Sequence, residues 1–312
     1  MIFLNLSRIL ISATFTGLCC ASAFAAPALS SQADLGWIRV QDDGQEGKAA
    51  LFRPDGTGRK ETARNALNGK LSPDGKSILY VRSAGNDSII LLADASGKNE
   101  KRVSPDKLQA GSPCWSPDGK RIAFLGKCGD FDQVHVMDRD GANVRQHTKA
   151  LLGATSPRFA PDGRLSYLTV NRFRGKLYPT SLVISNGKEE KSLLKDLILS
   201  DHAWSPDGKT IAYGRLGALV YHDLASGKEQ TVAFAELDAR ADGHMASGIT
   251  WSPDGKAIAC TIQFCGDRPA RAPGNIAKMF GDDQVFVIPR TGKPTWFEPG
   301  FKIGHLEWVR GK

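Results

Sequence analysis

Residues 115–120 read Trp-Ser-Pro-Asp-Gly-Lys, and the same six residues return at 204–209 and at 251–256. Two weaker copies are Leu-Ser-Pro-Asp-Gly-Lys at 71–76 and Phe-Ala-Pro-Asp-Gly-Arg at 159–164. From the second residue of one copy to that of the next, the steps are 44, 44, 45 and 47 residues. A period of this length is typical of one four-stranded blade of a β-propeller. The repeat therefore predicts an all-β propeller.

Each copy has the chemistry of a tight hairpin turn. Proline presets φ at the second position of the turn, aspartate suits the third, and glycine takes the left-handed conformation that closes the hairpin. Strand-forming residues follow the turn, as in Ile122-Ala123-Phe124 and Ile211-Ala212-Tyr213. A second hairpin comes next, for example Val-His-Val-Met-Asp-Arg-Asp-Gly at 134–141. Two hairpins in each repeat predict four antiparallel strands.

The two ends of the chain complete each other. The N-terminal part supplies a second strand, 37–40, and a third strand with its turn, 50–56, whereas the C-terminal part supplies only a first strand, 305–308. Joining them makes a sixth blade. An open ring would leave two apolar blade faces in water, so closure is physically required. We therefore predict a six-bladed β-propeller of four-stranded antiparallel blades.

The motif aromatic-Ser-Pro-Asp-Gly-Lys, followed by a strand and then Val-x-Val-Met-Asp-x-Asp-Gly, resembles the repeat of the TolB-like β-propeller family. The resemblance covers essentially the whole chain after residue 25. It implies a non-catalytic module or scaffold that captures a protein or peptide partner in the cell envelope. TolB proteins carry an additional α/β domain before the propeller, and residues 26–36 are too few to form one. We therefore expect the propeller alone.

The first 25 residues have the pattern of a secretory signal. Arg8 precedes an apolar stretch from Ile9 to Cys19, and Ala23-Phe24-Ala25 supplies the small-x-small cleavage pattern. We predict a signal peptide at 1–25, a propeller at 26–312, and a periplasmic or secreted location. The apolar stretch is too short to span a bilayer comfortably, so we expect no transmembrane segment in the mature chain.

Net charge and the absence of a recognition motif narrow the class of partner. Cleavage would change the formal charge from +8 to +7, which suits an acidic partner. The chain has no recognition motif for nucleic acid, so we expect no such partner, and we expect a monomer.

The mature chain keeps four cysteines, namely Cys114, Cys128, Cys260 and Cys265. Three disulfide pairings are open to them, and free thiols are equally compatible with a domain of this size.

The lengths of the loops indicate which face of the propeller carries inserted residues. The loops between second and third strands and the links between blades share one face, here called the loop face. The Ser-Pro-Asp-Gly turns share the opposite face, here called the turn face. The loop of blade 5 spans 265–283, and the loops of blades 3 and 5 mix cations with aromatic residues: Arg172, Phe173, Arg174, Arg268, Arg271 and Lys278. We predict that they form a rim for an acidic partner segment. The alternative is that they are solvated cations without a partner.

Three histidines provide an enzymatic alternative. His202, His244 and His305 approach the first strands of blades 4, 5 and 6, which line the central channel. Converging imidazoles could bind a divalent metal. The arrangement faintly resembles that of oligogalacturonate lyases, whose channel histidines hold a metal that assists β-elimination. The three histidines precede their tryptophans by 2, 7 and 3 residues, so they need not converge. We expect no cofactor, with this metal site as the alternative.

Overall fold

The computed structural model describes residues 37–42, 49–52, 60–62, 69–84, 87–95, 97–173, 175–195, 198–237, 244–264, 284–297 and 303–309. The predicted signal peptide lies outside these residues. No helix in the described part of the chain is long and apolar enough to cross a bilayer.

The described chain forms six antiparallel sheets of four strands each. The first three strands are β1 (Trp37–Asp42), β2 (Ala49–Phe52) and β3 (Lys60–Thr62). Blade 1 contains β4 (Lys70–Leu71), β5 (Ser77–Ala84), β6 (Asp87–Asp94) and β7 (Lys101–Arg102). Blade 2 contains β8 (Ala110–Trp115), β9 (Arg121–Cys128), β10 (Phe131–Asp138) and β11 (Arg145–Gln146). Blade 3 contains β12 (Ala154–Phe159), β13 (Leu165–Phe173), β14 (Lys176–Ser185) and β15 (Glu190–Leu194).

Blade 4 contains β16 (Leu199–Trp204), β17 (Thr210–Arg215), β18 (Ala218–Asp223) and β19 (Glu229–Ala233). The short helix α1 (Phe234–Leu237) follows it. Blade 5 contains β20 (His244–Trp251), β21 (Ala257–Phe264), β22 (Val285–Pro289) and β23 (Thr295–Phe297). The last strand is β24 (Ile303–Val309).

The sixth blade is shared between the two ends of the chain, as the sequence predicts. Strand β24 pairs with β1, with Trp308 opposite Ile38 and Glu307 opposite Arg39. Strands β2 and β3 complete the sheet in the order β24-β1-β2-β3. The ring closes onto blade 1 where the backbone N–H of Leu71 donates to the Glu307 carboxylate at 3.4 Å.

The repeated aromatic residue packs between blades, also as predicted. Trp115, Trp204, Trp251 and Trp308 are all buried. The indole N–H of Trp115 donates to the Lys70 carbonyl at 3.0 Å, and that of Trp251 donates to the Ala203 carbonyl at 3.1 Å. Each of these bonds crosses to the preceding blade, so the tryptophan fixes the blade spacing while filling the apolar wedge.

The Ser-Pro-Asp-Gly turns have the predicted geometry. In blade 4, Gly208 has a φ of 69° and its N–H donates to the Ser205 carbonyl at 2.9 Å. The Ser205 hydroxyl donates to the Asp207 carboxylate at 2.6 Å and accepts from the Thr210 N–H at 2.9 Å. One side chain therefore ties the turn to the start of the next strand.

Replacing Ser205 with alanine is expected to lower the free energy of unfolding by about 1–2 kcal/mol, because the buried Thr210 N–H loses its acceptor. Urea denaturation measures the change. Blade 3 carries Ala160 at the equivalent position, with Asp162 two residues later. Ala160→Ser is the matched reverse substitution, and its effect should have the opposite sign. Equal stability of Ser205→Ala and the wild type would contradict this role of the hydroxyl.

Candidate functional site

Charged side chains gather on the innermost strands, at the residue before the repeated aromatic. This position holds Lys70, Cys114, Arg158, Ala203, Thr250 and Glu307 in blades 1 to 6. Asp201 lies on the innermost strand of blade 4, three residues before Trp204. We call Lys70, Arg158, Asp201 and Glu307 the axial cluster.

Lys70, Arg158 and Glu307 hold the same register position on the innermost strands, and the charges of Arg158, Glu307 and Asp201 act on Lys70. The pKa of Lys70 is lowered to about 8, chiefly by burial and then by the Arg158 charge, against the opposing effects of Glu307, Asp201 and the Cys114 thiol. These groups belong to blades 1, 2, 3, 4 and 6. Blades 1 and 4 lie opposite each other in a six-membered ring, so Lys70 and Asp201 can interact only across its centre.

Within the axial cluster, Arg158 and Asp201 form a bridge between blades 3 and 4. The guanidinium Nη2 of Arg158 lies 3.1 and 3.3 Å from the two carboxylate oxygens of Asp201. The Asp201 side chain is 8 % exposed and that of Arg158 is 22 % exposed. An ion pair so shielded from water depends on both partners, because either charge alone would be costly to bury.

Asp201 also holds the next blade. Its carboxylate accepts from the backbone N–H of Ile249 at 3.2 Å. This N–H is available because the pairing of β20 with β21 shifts register between Ser247 and Thr250. Asp201 therefore links blades 3, 4 and 5, and its negative charge is compensated by groups that the structure describes.

Register shifts occur at the same height on the innermost strands of blades 2 to 5. In blades 2 and 3 they place Ser112 and Ser156 at φ values of 47° and 51°, and in blade 5 they place Gly248 at 61°. Left-handed conformations are unfavourable for residues other than glycine and are often retained where a site needs them. The bulges lie beside the axial cluster.

Lys70 differs from the other members of the axial cluster. Its ammonium makes no hydrogen bond and no ion pair within 4 Å with any residue in the described part of the chain. The side chain keeps partial contact with solvent, although protein surrounds it. It lies two residues before Ser72, which begins a turn, so it is near the turn face.

Sequence reasoning missed the axial cluster, although a signal was present. In the aligned repeats, the position before the aromatic changes from Cys, Ala or Thr to Lys, Arg or Glu. Charges within otherwise apolar innermost strands are unusual, because burying an isolated charge is costly. Comparing blades position by position would have singled them out.

His202, one of the three histidines of the predicted metal site, is enclosed by protein. His202 is fully buried, and its Nε2 lies 2.7 Å from the Ser166 hydroxyl. Its Nδ1 is sealed from solvent and has no hydrogen-bond partner among the described residues. Burial, followed by the Arg158 charge, lowers the pKa of His202 to about 3, so the ring is neutral at physiological pH.

His244 is buried at the start of β20, where its carbonyl accepts from the Gly217 N–H at 2.7 Å. In the described part of the chain, no three His, Cys, Asp or Glu side chains are arranged to hold a metal ion. His305 pairs with Gln41 in the sheet of blade 6, but its side chain lies outside the described residues. The three-histidine site stays a prediction.

The predicted rim is described only in part. Arg172 is exposed at the end of β13, and its guanidinium donates to the Gly175 carbonyl at 3.0 Å within the same loop. Phe173 is the last residue of β13, and its side chain lies outside the described part of the structure. The remaining rim positions also lie outside the described residues: Arg174, Arg268, Arg271 and Lys278. The rim therefore stays a prediction.

Exposed leucines accompany Arg172 on the loop face. Leu177 and Leu216, in the second-to-third loop regions of blades 3 and 4, are 42 % and 53 % exposed. Leu151, in the link between blades 2 and 3, is 89 % exposed. Three large apolar side chains in consecutive parts of one face are typical of a protein-binding surface.

The described cysteines are free thiols. Cys114 and Cys260 are buried and Cys128 is partly exposed. Burial raises the pKa of Cys260 to about 12 and also raises that of Cys114, so neither thiol is a thiolate at neutral pH. Cys265 lies outside the described residues.

Comparisons with known proteins agree with the fold. TolB from Acinetobacter baumannii superimposes with a TM-score of 0.65 at 19 % identity, over 88 % of this chain and 67 % of that one. A protein proposed to be TolB from Agrobacterium tumefaciens gives 0.59 at 16 % identity, over 84 % and 88 %. An oligogalacturonate lyase in complex with manganese gives 0.53 at 12 % identity, over 80 % and 69 %. At these identities the similarity concerns the fold alone.

No curated protein is similar enough in sequence to count as a match. A family model described as the TolB beta propeller domain matches residues 55–259, which is more than half of the chain. This match spans the five repeated turns and blades 1 to 4, and it ends within the second strand of blade 5. The chain therefore belongs to the TolB β-propeller family.

Proposed function

We propose that this protein is an exported, non-catalytic binding module that captures a protein or peptide partner in the cell envelope. Residues 1–25 direct export, and the propeller of residues 26–312 acts in the periplasm or outside the cell. Membership of the TolB β-propeller family and the closed ring of six blades support a rigid binding scaffold. A metal-assisted lyase is the alternative, and it requires the three-histidine site.

The observation that carries the proposal is the group of exposed leucines on the loop face. Leu151, Leu177 and Leu216 are three of the five large apolar side chains that are exposed in the described part of the chain, and the other two are Val144 and Trp296. A partner would remove their apolar area from water, which stabilises a complex by about 25 cal/mol per Å² before the entropic cost of association. Leu177 lies opposite Arg172 in the hairpin of β13 and β14, which favours a partner that is both apolar and acidic.

Charge is consistent with this choice of partner. The isoelectric point of about 9.2 predicts a net positive protein at neutral pH. The loop-face cations Arg172, Arg174, Arg268 and Arg271 are arginines, whose planar guanidinium groups suit carboxylates. They would steer an acidic segment to the leucines and raise the association rate.

Replacing Arg172, Arg174, Arg268 and Arg271 together with serine is expected to weaken partner capture by at least about tenfold, because the acidic segment loses four cations. The matched control replaces the turn-face lysines with serine, namely Lys76, Lys120, Lys209 and Lys256. It removes the same charge from the opposite face. Quantitative pull-down from envelope extract, followed by biolayer interferometry with the captured protein, measures both variants.

The two variants separate a local effect from a general effect of charge. Equal losses would show that only net charge matters, and unchanged capture by the arginine variant would refute the rim. Leu177→Ser combined with Leu216→Ser tests the apolar part. Because both leucines are exposed, we expect weaker capture without a change in melting temperature.

A further inference from the structure

We propose that Cys128 is a modification site, at which the thiol exchanges with a small aliphatic disulfide while His135 acts as its general base. Cys128 ends β9, where the chain turns into β10, so it lies on the loop face of blade 2. Its side chain is partly exposed, so a small reagent can reach the sulfur. This chemistry is independent of partner capture.

The thiol and the imidazole lie on one side of the hairpin formed by β9 and β10. Side chains alternate along a strand, so residues 124, 126 and 128 share a side with residues 135, 133 and 131, their partners in register. The Cys128 Sγ lies 3.7 Å from Nε2 of His135, which is within hydrogen-bond range for sulfur. The His135 side chain is buried, so the surrounding protein holds the imidazole in place.

The contacts of the His135 ring determine which of its nitrogens accepts a proton. Nδ1 lies 3.1 Å from the Gln133 carbonyl oxygen, which can only accept, so Nδ1 carries the hydrogen. Nε2 therefore presents a lone pair, and Cys128 is its hydrogen-bond partner in the described part of the chain. Burial lowers the pKa of His135, so the ring is neutral at physiological pH and can accept the thiol proton.

Three neighbours shape the site. The Phe124 ring stacks on the imidazole, with 5.3 Å between the ring centroids and 26° between the planes. Gly126 lies against the imidazole, since a Cβ there would come within 2.8 Å of Nδ1 and 2.9 Å of Cε1. The Gln146 Nε2 donates to the Thr148 carbonyl at 2.7 Å, and its Oε1 lies 3.8 Å from the sulfur. Of the two acceptors that face the sulfur, only the imidazole can take a proton at neutral pH.

The exchange step balances without a further oxidant or reductant. Nε2 of His135 takes the thiol proton as the Cys128 Sγ attacks one sulfur of the disulfide. A new S–S bond forms to that sulfur, the S–S bond of the reagent breaks, and the departing thiolate takes the proton back from Nε2. The products are a mixed disulfide on Cys128 and one small thiol. Cys114 and Cys260 are buried, so they serve as internal controls.

Charged groups around the pair are compensated or lie at the surface. Lys127 projects from the other side of β9, and its ammonium donates to the Asp130 carbonyl at 2.9 Å. The link between blades 1 and 2 packs on the near side through Leu108, and in that link Asp106 pairs with Arg102 at 3.1 Å. The other charged residues of the neighbouring segments are exposed: Asp87, Lys107, Asp130, Asp132 and Arg145. The pH dependence of the exchange should therefore follow the imidazole and the thiol.

The first measurement compares Cys128 in the folded protein with the same thiol in a synthetic peptide of residues 126–132, blocked at both ends. Bis(2-hydroxyethyl) disulfide is the reagent, because it is small, aliphatic and uncharged. At about pH 6.5, the protein should form the mixed disulfide at least about tenfold faster than the peptide, because a positioned general base typically accelerates a reaction by about 10²–10⁴-fold. Peptide mass mapping identifies the modified cysteine, and Cys114 and Cys260 should stay unmodified.

The second measurement follows the rate between about pH 6 and pH 8 in the wild type and in two variants. His135→Phe keeps an aromatic ring against Phe124 and removes the base, whereas Gly126→Ala keeps the imidazole and displaces it. The wild-type rate should change little with pH, because Nε2 takes the proton directly from the thiol. His135→Phe should show the roughly tenfold rise per pH unit of a thiol that reacts only as the thiolate.

Gly111→Ala is the matched control for Gly126→Ala, because Gly111 is in the same blade and a Cβ there meets no atom within 4 Å. Gly126→Ala should slow the reaction at pH 6.5 at least threefold, and Gly111→Ala should react like the wild type. The proposal is overturned if Cys128 reacts no faster than the peptide, if the wild-type rate rises tenfold per pH unit, or if both folded variants at the site react like the wild type. The comparison with the peptide and the wild-type pH profile decide the outcome even where a variant fails to fold.

Discussion

Replacement of Asp201 with alanine is expected to lower the free energy of unfolding by about 3–5 kcal/mol, the largest effect anticipated for a single substitution in this propeller. The change leaves the Arg158 guanidinium shielded from water without its partner, and it also removes the acceptor of the Ile249 N–H. Three blades lose their common contact. Urea denaturation at pH 7 measures the difference.

Two further variants separate the ion pair from the general cost of losing an aspartate. Asp207→Ala removes a carboxylate from the turn of the same blade and should cost clearly less, because Asp207 is exposed. Arg158→Met combined with Asp201→Ala removes both charges, and it should recover a large part of the lost stability. If the double variant is as unstable as Asp201→Ala alone, the unpaired guanidinium is not the cause.

Replacement of Lys70 with methionine is expected to have the opposite sign and to raise the free energy of unfolding by about 1–3 kcal/mol at pH 7. Methionine fills a similar volume without a charge that needs a partner. This gain in free energy of unfolding is smaller than replacement of a fully buried lysine would give, because Lys70 keeps partial contact with solvent.

The pH dependence of stability provides an independent check on Lys70. The pKa falls from an ordinary 10.5 to about 8 in the folded protein, so the unfolded state binds more protons between these values. Stability of the wild type should therefore rise with pH through this window, and its deficit should be complete below pH 8. Lys70→Met should lack this rise, and Lys209→Met should retain it. Destabilisation by Lys70→Met at pH 7 would instead assign Lys70 a structural role.

Local sequence was sufficient to predict the turns and strands of each blade. The conformational preferences of Pro117, Asp118 and Gly119 act within a few residues, so the motif predicts a turn wherever it recurs. The recurrence of Trp115, Trp204 and Trp251 at one register position identified the inter-blade core for a similar reason, since every blade must fill the same wedge. The sixth blade needed one additional argument, namely that a ring must close.

The candidate site could be predicted far less well. The basic loops were visible as composition, yet composition does not show that Leu151, Leu177 and Leu216, which are up to 65 residues apart in the chain, are all exposed. The histidines were expected at the channel because they approach the innermost strands. His202 is fully buried against Ser166 of the neighbouring blade, a contact that the spacing of the sequence does not show.

The sequence by itself determined the repeat, the turn that defines each blade, the number of blades and the family. The tertiary structure alone decided which charges meet at the axis, because Lys70, Arg158, Asp201 and Glu307 come from four blades and are up to 237 residues apart. Turn preferences are local, because they are determined by adjacent residues. Electrostatic pairing depends on distance in space, so only the closed ring shows that Arg158 of blade 3 and Asp201 of blade 4 compensate each other.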